Sequence, residues 1–145
     1  MMKSIQKYYQ LNHLCLSILF VFFFAAKSLA QDSTNIKVMT YNVLYGFKGN
    51  DNTSREIAAI EFIKNQQADV IAFQELNGFT EKSLLELAKQ WNHEYAVILK
   101  EDGFPVGITS KRPIKLISKM KGGFWHGMLH VSTYGIDFLI VHLSP

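Results

Sequence analysis

The chain has 145 residues, 48% of them hydrophobic and 19% charged, with 15 Lys and Arg against 12 Asp and Glu for a formal net charge of +3. The basic excess is confined to the first thirty residues, where Lys3, Lys7 and Lys27 meet no acid, so residues 31–145 hold 12 basic and 12 acidic side chains. That balance excludes an electrostatic footprint for nucleic acid on residues 31–145. With Cys15 as the one cysteine, it also leaves no disulfide or thiolate metal site beyond residue 30.

The chain opens with a basic start, an apolar run from Leu14 to Ala26 and small residues at Ser28 and Ala30. This layout predicts a secretory signal peptide over residues 1–30, cleaved after Ala30, and a secreted or periplasmic product. The apolar run is shorter than the roughly 20 residues a spanning helix requires; an uncleaved anchor is the alternative. Residues 31–145 then suit one small domain.

In chain order, Asn35 to Gly46 (NIKVMTYNVLYG) is β-branched and aromatic and predicts a strand, followed by a Gly- and Asn-rich loop. Thr53 and Glu56 form a Thr-x-x-Glu capping box, with Ile57, Ile60 and Ile63 at helical spacing behind it. The apolar run Val70–Phe73 predicts a strand buried on both faces, ending at Gln74 and Glu75. Thr80 is placed to cap a second helix whose Leu84, Leu87, Ala88 and Trp91 share one face. Glu94–Lys100 predicts a third strand. Beyond it, a turn at Lys111–Pro113 and another at Tyr134–Gly135 divide strand-like runs that read as an antiparallel meander. The sum is an α/β layered sheet domain.

Chemistry concentrates at the strand ends. Glu75 is an expensive place for a carboxylate unless it meets water, a partner or a metal. It reads as a solvated strand end, a structural ion pair, or a hard oxygen ligand for Mg2+, which takes few protein carboxylates. Gln74, on the opposite face, reads as a structural hydrogen-bonder. Asn42 reads either as a turn-starting Asn or as an amide that orients a phosphate oxygen. His142, sharing a face with Phe138 and Ile140, reads as a hydrogen-bonded core residue or as a donor to a phosphoryl oxygen. His126 and His130, four apart on one strand, lie too far from each other to share one metal. Phe124, Trp125 and Tyr134 are candidates to face a lipid or base, with core packing favoured for Phe124 and Trp125. No Ser-His-Asp pattern, P-loop or Gly-x-Gly-x-x-Gly is present.

Four stretches in order, IKVMTYNVLYG, ADVIAFQEL, VGITSKRPI and GFWHGMLHV with IDFLIVHLSP, together resemble the endonuclease/exonuclease/phosphatase family with its DNase I-like fold. The resemblance implies a DNase I-like four-layer α/β sandwich of which residues 31–145 supply about the N-terminal half. It implies a secreted Mg2+-dependent phosphoester hydrolase, with Mn2+ as a possible substitute. In that scheme Glu75 is the metal ligand, Asn42 orients the scissile phosphate or the metal's water shell, and His142 protonates or hydrogen-bonds the phosphoryl group. The substrate would be a nucleic acid, a phospholipid or a small phosphate ester, with no stable protein partner and no membrane unless the signal stays uncleaved.

The family's Asp-x-Asn and Ser-Asp-His motifs, the second carrying its general base, do not occur in this sequence. The chain is therefore expected to be a truncated hydrolase or gene fragment. It is further expected to lack the second sheet that would cover the first, and so to be insoluble or molten and inactive when residues 31–145 are made alone. The alternative is a catalytically inactive secreted binding module.

Overall fold

The computed structural model describes residues 35–48, 53–123 and 125–143; the expected signal peptide and the side chain of Thr53 lie outside them. Those from Ile36 onward belong to one compact unit. In chain order they form β1 (Val38–Asn42), α1 (Thr53–Gln66), β2 (Val70–Gln74), α2 (Glu81–Ala88) with a 3-10 turn over Lys89–Trp91, β3 (Tyr95–Ile98), β4 (Gly107–Ser110), β5 (Lys115–Met120), β6 (Met128–Thr133) and β7 (Ile136–Val141). Among the described residues no helix is long and apolar enough to cross a membrane.

Two sheets result. The first has the order β1-β2-β4-β3, with β1 and β2 parallel and β4 antiparallel to both β2 and β3; the second is the meander β5-β6-β7. The second sheet corrects one expectation. It packs on the first through a single apolar cluster that joins Val70, Val97 and Ile108 to Leu129, Val131 and Ile140. The first sheet is therefore not left with a bare face, and the physical ground for expecting a molten chain falls away. The expected meander is also shorter than the sequence suggests. The turn at Lys111–Pro113 carries the chain from β4 in one sheet to β5 in the other, where Ser110 Oγ and Thr133 Oγ1 meet at 3.1 Å across the gap.

β2 explains its own sequence. It is hydrogen-bonded on both edges, and Val70, Ile71 and Phe73 are fully buried. Val70 faces the second sheet, while Ile71 and Phe73 face α1, α2 and Trp91. Burying each such side chain contributes about 1.5–3 kcal/mol. The expected face of α1 is partly wrong: Ile63 is buried but Ile57 is 57% exposed. The helix instead turns Ala59, Ile60 and Ile63 to the sheet, a stripe at i, i+1 and i+4 that excludes Ile57. Thr80 caps α2 as expected, its hydroxyl accepting from the Ser83 N–H while Ser83 Oγ accepts from the Thr80 N–H. Gly107 is required by packing: a Cβ there would lie 2.6 Å from Leu76 Cδ1 and 3.1 Å from the Val97 carbonyl.

Candidate functional site

β1 and β2 run parallel with Asn42 opposite Gln74, so their C-terminal ends open on the same side. The chain then leaves β1 in an unusual way. Leu44, Tyr45, Gly46 and Phe47 all have positive φ, between 46° and 68°, and the Phe47 N–H donates to the Val43 carbonyl at 3.0 Å. This is one turn of left-handed backbone, a conformation costing roughly 1–2 kcal/mol for each residue with a Cβ. Buried Val43 and Phe47 offset part of that cost, and so does a set of hydrogen bonds to the end of β2. The Val43 N–H donates to the Gln74 carbonyl at 3.1 Å and the Gly46 N–H to the Glu75 carbonyl at 2.7 Å.

Glu75 itself has φ +61°, which swings its carboxylate across to this turn. Oε1 accepts from Asn42 Nδ2 at 2.9 Å and Oε2 accepts from the Tyr45 N–H at 3.0 Å. Asn42 Oδ1 accepts in turn from the Leu44 N–H at 2.8 Å, the turn-starting bond its sequence context suggested. From the other sheet, His142 Nε2 lies 3.6 Å from Glu75 Oε1. Asn42, Glu75 and His142, picked out from three separate stretches of sequence, thus converge. Burial by itself would raise the Glu75 carboxyl. The hydrogen bonds from Asn42 and the Tyr45 N–H outweigh it, helped by the charges of His142 and His126, and hold the group below the ordinary carboxylate range.

His126 is the residue the sequence did not bring to the site. It precedes β6 rather than lying on it, and its ring stacks on His142 with centroids 4.4 Å apart and planes 18° apart. Its pKa is lowered, first by burial and then by the charges of His142 and Lys100. Gly127, with φ +83° and no room for a Cβ against the Met120 carbonyl, turns the chain just after it; that glycine was the available signal that the strand begins later. Phe104 meets the His126 ring edge-on at 5.4 Å, and Tyr45 meets Phe104 at 5.9 Å. Trp125, expected in the core, is 80% exposed beside His126; Phe124 lies outside the described residues. His130 is remote, paired with Asp137 at 3.3 Å. Gln74 donates to Thr40 Oγ1 at 3.1 Å, the structural bond expected of it.

As a metal site, this end of the sheet offers one carboxylate among the described residues, that of Glu75. Among the described residues no group of three or more His, Cys, Asp or Glu is arranged to hold an ion. Glu75 is a hard oxygen donor kept ionised, and each of its oxygens has accepted one hydrogen bond, leaving further lone pairs. His142 Nδ1 is buried without a partner. Such a donor set fits a cation like Mg2+ that keeps most of its waters, and does not fit zinc.

Among solved structures, the chain is similar to an AP endonuclease from Archaeoglobus fulgidus, at 15% identity and a TM-score of 0.50 over 72% of this chain and 38% of that one. The chain has the DNase I-like fold. A humanized D. rerio TDP2 carrying 14 mutations also matches, at 18% identity and a TM-score of 0.49 over 72% of this chain and 44% of that one. The chain thus spans less than half the length of either structure. No protein-family model and no curated protein matches it. In this DNase I-like chain the described residues make three layers: helices, the four-stranded sheet and the three-stranded sheet.

Proposed function

We propose that this DNase I-like chain belongs to a secreted phosphoester hydrolase that works with Mg2+ or Mn2+. The observation that carries the proposal is the meeting of Asn42, Glu75 and His142 at one end of the two sheets, each within 3.6 Å of the next. The fold shared with an AP endonuclease supports the same class of chemistry. Glu75 would hold the cation, which when bound supplies positive charge to neutralise a phosphoryl oxygen. Asn42 keeps the carboxylate aimed and offers its amide to a phosphate oxygen. His142 offers its ring N–H to the phosphoryl group or the departing oxygen.

The test is hydrolysis of bis(p-nitrophenyl) phosphate by the full chain, with Mg2+, with Mn2+ and with EDTA, beside Glu75→Gln and His142→Ala. We expect calorimetry to show Mg2+ and Mn2+ binding that Glu75→Gln abolishes. Turnover, made without a Ser-Asp-His general base, should be slow, dependent on the cation and cut roughly a hundredfold by His142→Ala, the scale of a general acid. Phosphate binding without turnover would favour a binding module instead. Turnover indifferent to EDTA and to both substitutions would overturn the assignment. Secretion is tested separately by sequencing the N-terminus of the exported protein, expected at Gln31.

A further inference from the structure

A string of rings leads away from the carboxylate. His142 lies 3.6 Å from Glu75, His126 stacks on His142, and Phe104 and Trp125 both meet the His126 ring edge-on. Tyr45, whose N–H is bonded to Glu75, closes the string by meeting Phe104 at 5.9 Å. Three of these rings are open to solvent: Tyr45 at 56%, Phe104 at 37% and Trp125 at 80%. Large apolar rings left exposed together beside a polar site are unusual on a folded surface and mark a contact for something else.

Tyr45 and Phe104 also form one wall of an open cleft of about 450 Å3, whose other sides carry Lys48, Asn77, Glu101 and Gly103. The cleft is held by bonds between loops: Asn77 Nδ2 donates to the Gly103 carbonyl and the Leu76 N–H to the Pro105 carbonyl. The Oδ1 of Asn77 is buried without a partner. Aromatic faces with a few fixed polar groups suit a flat ring that carries its own hydrogen-bonding atoms.

We propose that Tyr45, Phe104 and Trp125 form a subsite that takes a planar heteroaromatic ring borne by the phosphoester, of the nucleobase type. This rests on the phosphoester reading of the neighbouring Glu75 site, because the ring must arrive attached to a phosphate. A lipid surface is the less suitable occupant: Lys48, Asn77 and Glu101 line the cleft beside the two rings, and inserted acyl chains would strip these polar groups of water without pairing them. Stacking on such faces tolerates different bases, since every base has a π-face.

The chain contains two tryptophans, and Trp91 is 5% exposed with its Nε1 donating to Thr109 Oγ1. Fluorescence from solvent-exposed tryptophan therefore reports on Trp125. The full chain, with Mg2+ present, is titrated with thymidine 5′-monophosphate, thymidine, ribose 5-phosphate, inorganic phosphate and phosphatidylcholine vesicles. We expect saturable quenching by thymidine 5′-monophosphate, none by ribose 5-phosphate, and no signal from Trp125→Phe. By calorimetry, Trp125→Ala and Phe104→Ala should each weaken thymidine 5′-monophosphate roughly tenfold, with inorganic phosphate unchanged.

Equal affinity for thymidine 5′-monophosphate and ribose 5-phosphate would overturn the subsite while leaving the phosphoester reading in place. Quenching by thymidine with no affinity for either phosphate would support the subsite and defeat that reading. A blue shift with vesicles and no response to thymidine 5′-monophosphate would overturn the subsite in favour of a lipid surface.

Discussion

Asn42 and Glu75 stand 33 residues apart in sequence and 2.9 Å apart in space, and the bond between them serves the backbone as much as the site. Asn42 holds Leu44, Glu75 holds Tyr45, and the two side chains hold each other. The left-handed turn and the carboxylate are one assembly.

Asn42→Ala is predicted to release the Glu75 carboxyl upward in pKa. Burial, which raises it, would then be opposed mainly by the Tyr45 N–H. A carboxyl depressed in the folded state stabilises the fold above its unfolded pKa and loses that contribution as pH falls through the folded pKa. The variant should therefore show a weaker dependence of stability on acid. NMR titration of the Glu75 carboxyl carbon decides it, and an unmoved midpoint would refute the coupling.

Gly46→Ala is predicted to be severe. The position has φ +65°, and a Cβ would stand 2.1 Å from the Asn77 carbonyl oxygen. Backbone must move, at a cost of roughly 2–4 kcal/mol. Urea unfolding should show a correspondingly lower midpoint; a midpoint within error of the parent would mean the turn is looser than described.

Thr109→Val tests a buried polar chain behind the first sheet. Trp91 Nε1 donates to Thr109 Oγ1, and the Thr109 hydroxyl lies 2.8 Å from His93 Nδ1. His93 Nε2 lies 2.9 Å from the Ala68 carbonyl, which can only accept, so Nε2 donates and Nδ1 accepts from Thr109. Valine keeps the volume but strands His93 Nδ1 and Trp91 Nε1, and about 2–3 kcal/mol of stability should go with them. Thr109→Ser, which keeps the hydroxyl, should recover most of it in the same thermal scan.

Acid should weaken the fold in two stages. His93 is fully buried and its pKa is lowered chiefly by that burial, so the unfolded chain takes up its proton first. Stability is then lost as pH falls from the ordinary histidine value near 6.5 toward the folded one. Asp69 is lowered by the hydrogen bond from the Lys37 N–H and by Lys111 at 2.9 Å. Its contribution persists above the ordinary Asp range and goes as pH drops below about 4. Urea midpoints across pH should show both stages, with Asp69→Asn shrinking the lower one and leaving the contribution of Glu75 to it.

The parts legible in sequence were those written in local pattern. Val70–Phe73 with Gln74 and Glu75 announced a buried strand ending in polar residues, and Thr80 announced a helix start. The remainder depends on partners distant in sequence. Leu44-Tyr45-Gly46-Phe47 carries a single glycine, so nothing local marks three further left-handed residues; the end of β2 stabilises them. The Lys111-Arg112-Pro113 turn has the same composition whether it closes a hairpin or passes between sheets. Trp125 looked apolar enough for the core, and only the bend at Gly127 puts it outside.

The two sheets also differ in how far apart in the chain their partners lie. Every pairing of the second sheet joins neighbouring strands between Lys115 and Val141, whereas β2 must wait for β4, with Val70 registered on Ser110 forty residues later. Loop-closure entropy favours the nearer contacts, so the hairpin of β6 and β7 should assemble first and offer Leu129, Val131 and Ile140 as a template on which the four-stranded sheet condenses. In a pulsed hydrogen-exchange experiment the amides of β6 should gain protection before those of β2; the reverse order would place the folding nucleus around α1 and α2.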